Sequence, residues 1–390
     1  MWHTFLDGTD IGQSDKTHSD CAEFRDADFG KVFDFYQKSI VDIKLIHYIC
    51  STQVQTTEII ENYNISADMK TKHYLLIVLF TLLFLKGYGQ DKEIYYADPT
   101  IYVENNKYYL TGTWDSVPQG FSVLESVDLK NWYVPEGNSY KMILEKGGES
   151  FGTKGFWAPQ LLKDDGRYYL TYTANERVCI ASSESLLGPY SQDVIRPIDG
   201  SEGNIDSFLF KDDNGKYYLY HVRFDNDNHI CVAEFDVVNG QIKDSVQTCL
   251  SYSAPWEMTP NYKSNPVLEG PAVIKWDGVY YMFYSANHFA NIDYSVGYAT
   301  AKSPLGPWIK HPGNPIIHRS IVGENGSGHG DIFKGIDGGY YYVYHVHNSD
   351  NTVGPRKTRI VPLILQKGED GTYEIAVDLE NVIVPLQRLL

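Results

Sequence analysis

Five stretches of this chain repeat one pattern and decide its fold: IYVENNKYYLTGT (101–113), LLKDDGRYYLTYT (161–173), FLFKDDNGKYYLYHV (208–222), VIKWDGVYYMFYS (273–285) and IFKGIDGGYYYVYHV (332–346). Each reads as an apolar strand, a turn rich in Asp, Asn and Gly, and a second strand that opens on paired tyrosines. The turn pairs Asn105-Asn106, Asp165-Gly166, Asn214-Gly215, Asp277-Gly278 and Asp337-Gly338 tolerate the positive φ that tight hairpins require. Five β-hairpins are predicted. The first tyrosines of the pairs, Tyr108, Tyr168, Tyr217, Tyr280 and Tyr341, are spaced by 60, 49, 63 and 61 residues. Small propeller repeats run about 40–50 residues, so each period here holds a four-stranded blade with longer loops.

A second repeat follows the hairpins. Ala181–Tyr190 (ASSESLLGPY) matches Ala299–Trp308 (ATAKSPLGPW), and Leu124–Trp132 (LESVDLKNW) is a looser copy. Each reads as a third strand, a short excursion and the start of a fourth. The predicted fold is all-β: a five-bladed β-propeller of four-stranded antiparallel blades, spanning residues 90–390. Radial closure leaves only short, protected sheet edges. A solenoid needs shorter repeats, and a sandwich does not repeat one motif five times.

Composition agrees. The chain has 31 Tyr, 33 Gly and 17 Pro in 390 residues, which suits strands and turns. Its formal net charge is −17, and that repels nucleic acid and anionic membranes. The balance suits a neutral substrate.

Residues 69–89 read MKTKHYLLIVLFTLLFLKGYG. Lysines, an apolar run and small residues follow one another in the order of a secretory leader. The run is shorter than the ~20 residues that span a bilayer. Met69 is therefore expected to be the true start, and residues 1–68 an upstream extension. The mature chain then begins near Gln90 and is secreted or periplasmic, with no membrane partner. It keeps Cys179, Cys231 and Cys249, an odd count that excludes a full disulfide framework. Cys231 and Cys249 either pair or act as small buried hydrophobes.

In a propeller the first strand of each blade lines the central channel. Five or six residues before Val103, Lys163, Lys211, Lys275 and Lys334 stand Asp98, Trp157-Ala158, Asp206, Glu269 and His329. These are expected to occupy one structural position around the axis. Like charges crowded there repel one another unless function retains them. Carboxylates set side by side push their pKa values apart. Glycosidic cleavage needs that division, with one acid to protonate the leaving oxygen and one base to activate water.

With these motifs in place, the sequence resembles glycoside hydrolase family 43 over about residues 93–370. The resemblance rests on Ala97-Asp98-Pro99-Thr100, Trp157-Ala158-Pro159, Ile205-Asp206-Ser207, Glu269-Gly270-Pro271, Gly328-His329 and the run Arg356–Leu363, in order along the blades. It implies Asp98 as general base, Glu269 as general acid and Asp206 as the residue that raises the pKa of Glu269, in an inverting reaction. It implies that Arg356 reaches the site from the last blade and holds substrate or a carboxylate. It sets His329 at the channel floor, beside a water-ligated calcium ion, with no cofactor required. Here Gly330-Asp331 follows His329 where the family commonly has Asn-Ser, and Asp331 offers an oxygen to a hard cation. Trp157 is a candidate sugar platform. Trp114, Phe121, His288 and Phe289 are candidates on loops or strand ends. The tyrosine pairs recur in every blade and are read as structural.

The expected substrate is a pentose-containing plant-type oligosaccharide or polysaccharide, cleaved by arabinofuranosidase or β-xylosidase action. Endo-arabinanase and galactan-directed action are alternatives on the same fold. A retaining fructan hydrolase does not fit, since Asp98 lacks the Asn-Asp-Pro-Asn-Gly context. A non-catalytic carbohydrate-binding propeller is the alternative of another class.

Overall fold

The computed structural model describes residues 91–114, 119–137, 140–224 and 227–388. The expected leader and upstream extension lie outside them. Among the described residues, no helix is long and apolar enough to cross a membrane.

The first strands of the five blades are Ala97–Glu104, Trp157–Asp164, Asn204–Lys211, Leu268–Trp276 and Gly328–Lys334. Each packs on the next, and the fifth packs on the first, which closes the ring. The second strands are Lys107–Thr113, Arg167–Ala174, Tyr217–Phe224, Val279–Ala286 and Tyr340–Val346, and each pairs antiparallel with its own first strand. In blades 4 and 5 the sheet runs to four strands. In blades 1 and 2 the fourth strand shrinks to the single bridges Glu125–Tyr133 and Ser182–Ser191.

The turns follow their residues. Asn105-Asn106, Asp165-Gly166 and Asp277-Gly278 hold positive φ at both positions, which matches the right-handed twist of the strands they join. In blades 3 and 5 the turn is longer, and only Gly215 and Gly338 are left-handed.

Register moves one predicted tyrosine. Lys163, Lys211, Lys275 and Lys334 pair with Tyr168, Tyr217, Tyr280 and Tyr340. The fifth repeat tyrosine is therefore Tyr340 rather than Tyr341. Three tyrosines run together there, and only the pairing partner picks the right one.

The tyrosines join blades through hydroxyls as well as rings. Tyr168 and Lys163 of blade 2 donate to Glu104 at the turn of blade 1, at 2.7 and 2.5 Å. Tyr217 and Lys211 bond Asp164 in the same way. Tyr280 and Lys275 bond Asp212 at 2.9 and 2.8 Å. Each lysine also lies over its own tyrosine ring. This latch links blades 1 to 4. Between blades 5 and 1 the Ile336 N–H donates to the Tyr108 hydroxyl instead, at 3.0 Å.

Buried clusters fill the gaps between blades. Phe121 is fully buried, edge-on to Phe156 and Tyr172 at 6.2 and 5.8 Å. It is core, so its expected place at the site is corrected. Cys179, Cys231 and Cys249 are thiols, which leaves the buried-hydrophobe reading. The ring is fastened near the chain end, where Leu386–Gln387 pairs antiparallel with Lys92–Glu93 and parallel with Asn131–Trp132.

Candidate active site

Every first strand carries a bulge at its mouth end. The pairing slips between Ala97 and Thr100, Trp157 and Gln160, Ile205 and Phe208, Glu269 and Ala272, and Gly328 and Gly330. One residue in each slip is left-handed: Asp98 (φ 46), Ala158 (φ 45), Asp206 (φ 55), Gly270 (φ 59) and His329 (φ 37). Bulges re-aim side chains, and Asp and His tolerate this region better than most residues. The position shared by the blades therefore holds Asp, Ala, Asp, Gly and His. Trp157 and Glu269 stand one residue earlier, so the expectation of a single ring of five is corrected to two adjacent rings. Blade 4 has no room for a side chain at the left-handed position. A Cβ on Gly270 would lie 2.8 Å from the His329 ring.

Asp98 is buried, with two donors and two imidazoles around it. Its Oδ2 accepts from the Thr113 hydroxyl at 2.6 Å, and its Oδ1 accepts from Arg356 Nη1 at 3.0 Å. His345 Nδ1 and His329 Nδ1 lie 3.3 and 3.4 Å from the same oxygen. Burial alone would raise the Asp98 pKa, but Arg356, His329 and His345 outweigh it and hold the carboxyl well below the usual range. Asp98 is an ionised carboxylate.

Glu269 is in the opposite state. Burial, reinforced by the charge of Asp98, pushes it up to about 7, against the hydrogen bond from Tyr294. Tyr294 is fully buried and donates to Oε1 at 2.7 Å. Asn228 also reaches this carboxyl. Asp206 is raised well above the usual range by burial, then by Glu269 and Asp98. Its Oδ2 accepts the Gly270 N–H at 3.3 Å and lies 3.7 Å from His329 Nδ1. Two raised carboxyls side by side keep a proton between them at neutral pH.

His345 ties these groups together. Asp98 N–H donates to its Nδ1 at 3.1 Å, and Arg356 Nη1 lies 3.3 Å from its Nε2. The ring stacks on Tyr294, with centroids 5.6 Å apart. Burial and then Arg356 hold the imidazole neutral, with its pKa lowered to about 3.

A small open pocket is lined by Asp98, Ala158, Gln160, Asp206, His329 and Asp331 among others. Among the described residues, no three His, Cys, Asp or Glu side chains cluster as a metal cage. His329 turns its Nδ1 to Asp98 and Asp206. Asp331 accepts from Thr100 at 2.6 Å and leaves one oxygen without a partner. Burial raises Asp331 to about 7, which favours the neutral form. Calcium takes six to eight oxygen ligands, so an ion beside His329 would draw most of them from water.

The remaining candidates separate by place. Arg356 stands at Asp98, and its guanidinium lies 4.9 Å from the Phe289 ring centroid. Phe289 is 40 % exposed. His288 packs between it and Tyr262, at 4.5 and 4.6 Å. These rings form a ledge that starts at the ionised carboxylate. Trp157 is half-buried, with its ring against Gly155. Trp114 packs on the buried cluster of Ile94, Tyr96 and Trp132 while keeping part of its surface exposed.

Sequence reasoning missed Thr113, His345, Tyr294, Asn228 and Tyr262. Thr113 and His345 had a signal, because both stand five residues after the repeat tyrosine once that is Tyr340. The other three lie outside the repeat.

A closed five-bladed ring, whose bulged strand ends carry one carboxyl held low and another raised to about 7, is the equipment of a propeller glycosidase. The chain belongs to glycosyl hydrolases family 43, whose family model matches residues 92–373. It is a glycoside hydrolase, and its substrate is a carbohydrate. The solved structure of an endo-1,4-β-xylanase from Bacteroides thetaiotaomicron is 37% identical, with a TM-score of 0.69, and covers 77% of this chain and 99% of its own. A β-D-galactofuranosidase of Aspergillus niger is 25% identical over 74% of this chain and 84% of its own length. A putative β-xylosidase of Escherichia coli is 28% identical over 70% of this chain, and the match spans 50% of that protein.

Proposed function

We propose that this glycoside hydrolase cleaves pentose-containing plant-type oligosaccharides or polysaccharides with inversion at the anomeric carbon. The observation that carries this reading is the split in protonation between Asp98 and Glu269. Asp98 takes a proton from water as the water oxygen attacks the anomeric carbon. Glu269 gives its proton to the departing glycosidic oxygen, and that C–O bond breaks. The products are a hemiacetal of inverted configuration and a free hydroxyl. Asp206 keeps Glu269 protonated until the step by placing charge beside it. Inversion requires the two carboxyls to stand roughly 6.5–9.5 Å apart, with room for the water. Arg356 orients Asp98 and the sugar hydroxyls. Trp157, Phe289 and His288 offer faces for sugar rings. No step runs through a metal.

The xylanase and β-xylosidase among the relatives support a xylose-based substrate, and arabinofuranosides are the nearest alternative. The galactofuranosidase keeps a furanoside-directed reading in view. The Met69 leader pattern supports export, so the enzyme would meet its polymer outside the cytoplasm; N-terminal sequencing of the natural protein that found residues before Met69 would sink this.

The experiment is nitrophenol release from aryl β-D-xylopyranoside, α-L-arabinofuranoside and β-D-galactofuranoside by residues 90–390, beside Asp98→Ala and Glu269→Ala. Release that both substitutions abolish supports the assignment, and proton NMR of the first-formed anomer reports inversion. Activity that survives Asp98→Ala would overturn it.

A further inference from the structure

Four of the five second strands place a polar side chain five residues after the repeat tyrosine. Thr113 accepts the N–H of Ala158 on the next blade at 2.9 Å, Thr173 that of Asp206 at 3.0 Å, Ser285 that of His329 at 2.8 Å and His345 that of Asp98 at 3.1 Å. Each of these N–H groups belongs to a left-handed residue. Blade 3 breaks the pattern with Val222, fully buried and paired with Ile205. The Gly270 N–H finds no side chain there and donates to Asp206 Oδ2 instead. The Thr113 hydroxyl also donates to Asp98 on its own blade. Asp206 has no such partner, because Val222 carries no hydroxyl.

We propose that Val222 is a positioning residue for the reaction: by withholding a hydroxyl, it leaves the Gly270 N–H to Asp206 and pins that carboxylate against the residue next to Glu269. The inference rests on the roles given above to Asp206 and Glu269. A threonine at 222 is nearly the same shape as valine. It would accept the Gly270 N–H and donate to Asp206, as Thr113 does for Ala158 and Asp98. Asp206 would then be held ionised beside Glu269, and Glu269 would keep its proton to higher pH. The other groups facing this pair stay in place: Asp98, Arg356 and His329 around Asp206, and Asp98, Arg356, Tyr294 and Asn228 around Glu269.

The test compares Val222→Thr, Val222→Ser and Val222→Ala with the parent enzyme. The pH dependence of kcat/KM is measured on the aryl glycoside the parent cleaves. Carboxyl-carbon NMR titration of the free enzyme, assigned with Glu269→Gln and Asp206→Asn, needs no substrate. The hydroxyl variants are expected to move the alkaline limb, and the Glu269 titration with it, up by about 0.5–1 pH unit. Val222→Ala should leave both unmoved while lowering Tm. Unmoved limbs in folded hydroxyl variants overturn the proposal, and so does an equal shift in Val222→Ala, which would mark a packing effect. Val222→Ser serves if the threonine variant fails to fold. A fully active Glu269→Gln would defeat the acid assignment itself, whereas an inactive one beside unmoved limbs defeats only the role of Val222.

Discussion

Asp98 and Glu269 are both carboxyls buried at the mouth of one channel, and their neighbours alone set them apart. Asp98 has Arg356, Thr113 and two imidazoles; Glu269 has a phenol and an amide. The sign of the pH dependence follows. The base is ionised from well below the usual carboxyl range, so acid inhibits only at low pH. Glu269, the proposed acid, is raised to about 7, so activity is expected to fall as pH rises through that value. A kcat/KM profile from pH 4 to 9 that stays flat through pH 8 would contradict this. Glu269→Gln is expected to lower kcat by about 10²–10⁴ on natural linkages. The loss should shrink on aryl glycosides with strongly acidic leaving groups, which need no proton; a comparison of dinitrophenyl and phenyl glycosides checks it. Asp98, Asp206 and His329 were legible as candidates in the sequence because an ionisable residue recurs five positions before Val103, Lys211 and Lys334. The offset of Glu269 was not. It depends on Gly270, whose positive φ and nearness to His329 appear only once the blades are packed.

Hairpins are the most legible elements, since turn chemistry and tyrosine pairs are local signals. The latches between them are not local. The sequence shows a lysine before the turn in blades 2 to 5 and a tyrosine after it, but not that in blades 2 to 4 both reach back to a carboxylate one blade earlier. Asp212 is buried beneath Lys275 and Tyr280. Tyr280→Phe removes one hydrogen bond to a buried carboxylate and is expected to cost about 1–2 kcal/mol. This lowers Tm by roughly 2–4 °C and leaves kcat/KM unchanged, because the latch lies away from the carboxyls. Thermal melts and initial rates on one preparation check both halves. The aromatic ledge is another element that sequence showed only in part. Phe289 and His288 were candidates, but Tyr262 comes from a different loop and meets them only in the fold. Phe289→Ala is expected to raise KM about tenfold with little change in kcat, through loss of contact area shared by ground and transition states. A fall in kcat alone would reassign Phe289 to the chemical step.

For the whole molecule, closure was implied by five repeats, but the fastening was not. Leu386–Gln387 lies beyond the last hairpin in a stretch with no repeat signal, yet it joins Lys92–Glu93 to Asn131–Trp132. Shortening the chain to residue 383 removes this seam and is expected to cost about 2–4 kcal/mol, from a few backbone hydrogen bonds of roughly 1 kcal/mol each. The loss is read as a lower urea midpoint; an unchanged midpoint would place the ring's cohesion in the blade-to-blade cores alone. The glycine in blade 4 has a consequence for the whole ring. It sets Glu269, the proposed acid, one residue before the bulge position that Asp98 and Asp206 occupy. The proposed acid and base therefore leave their strands at offset positions along the channel wall, and a sugar held by both would lie tilted to the propeller axis.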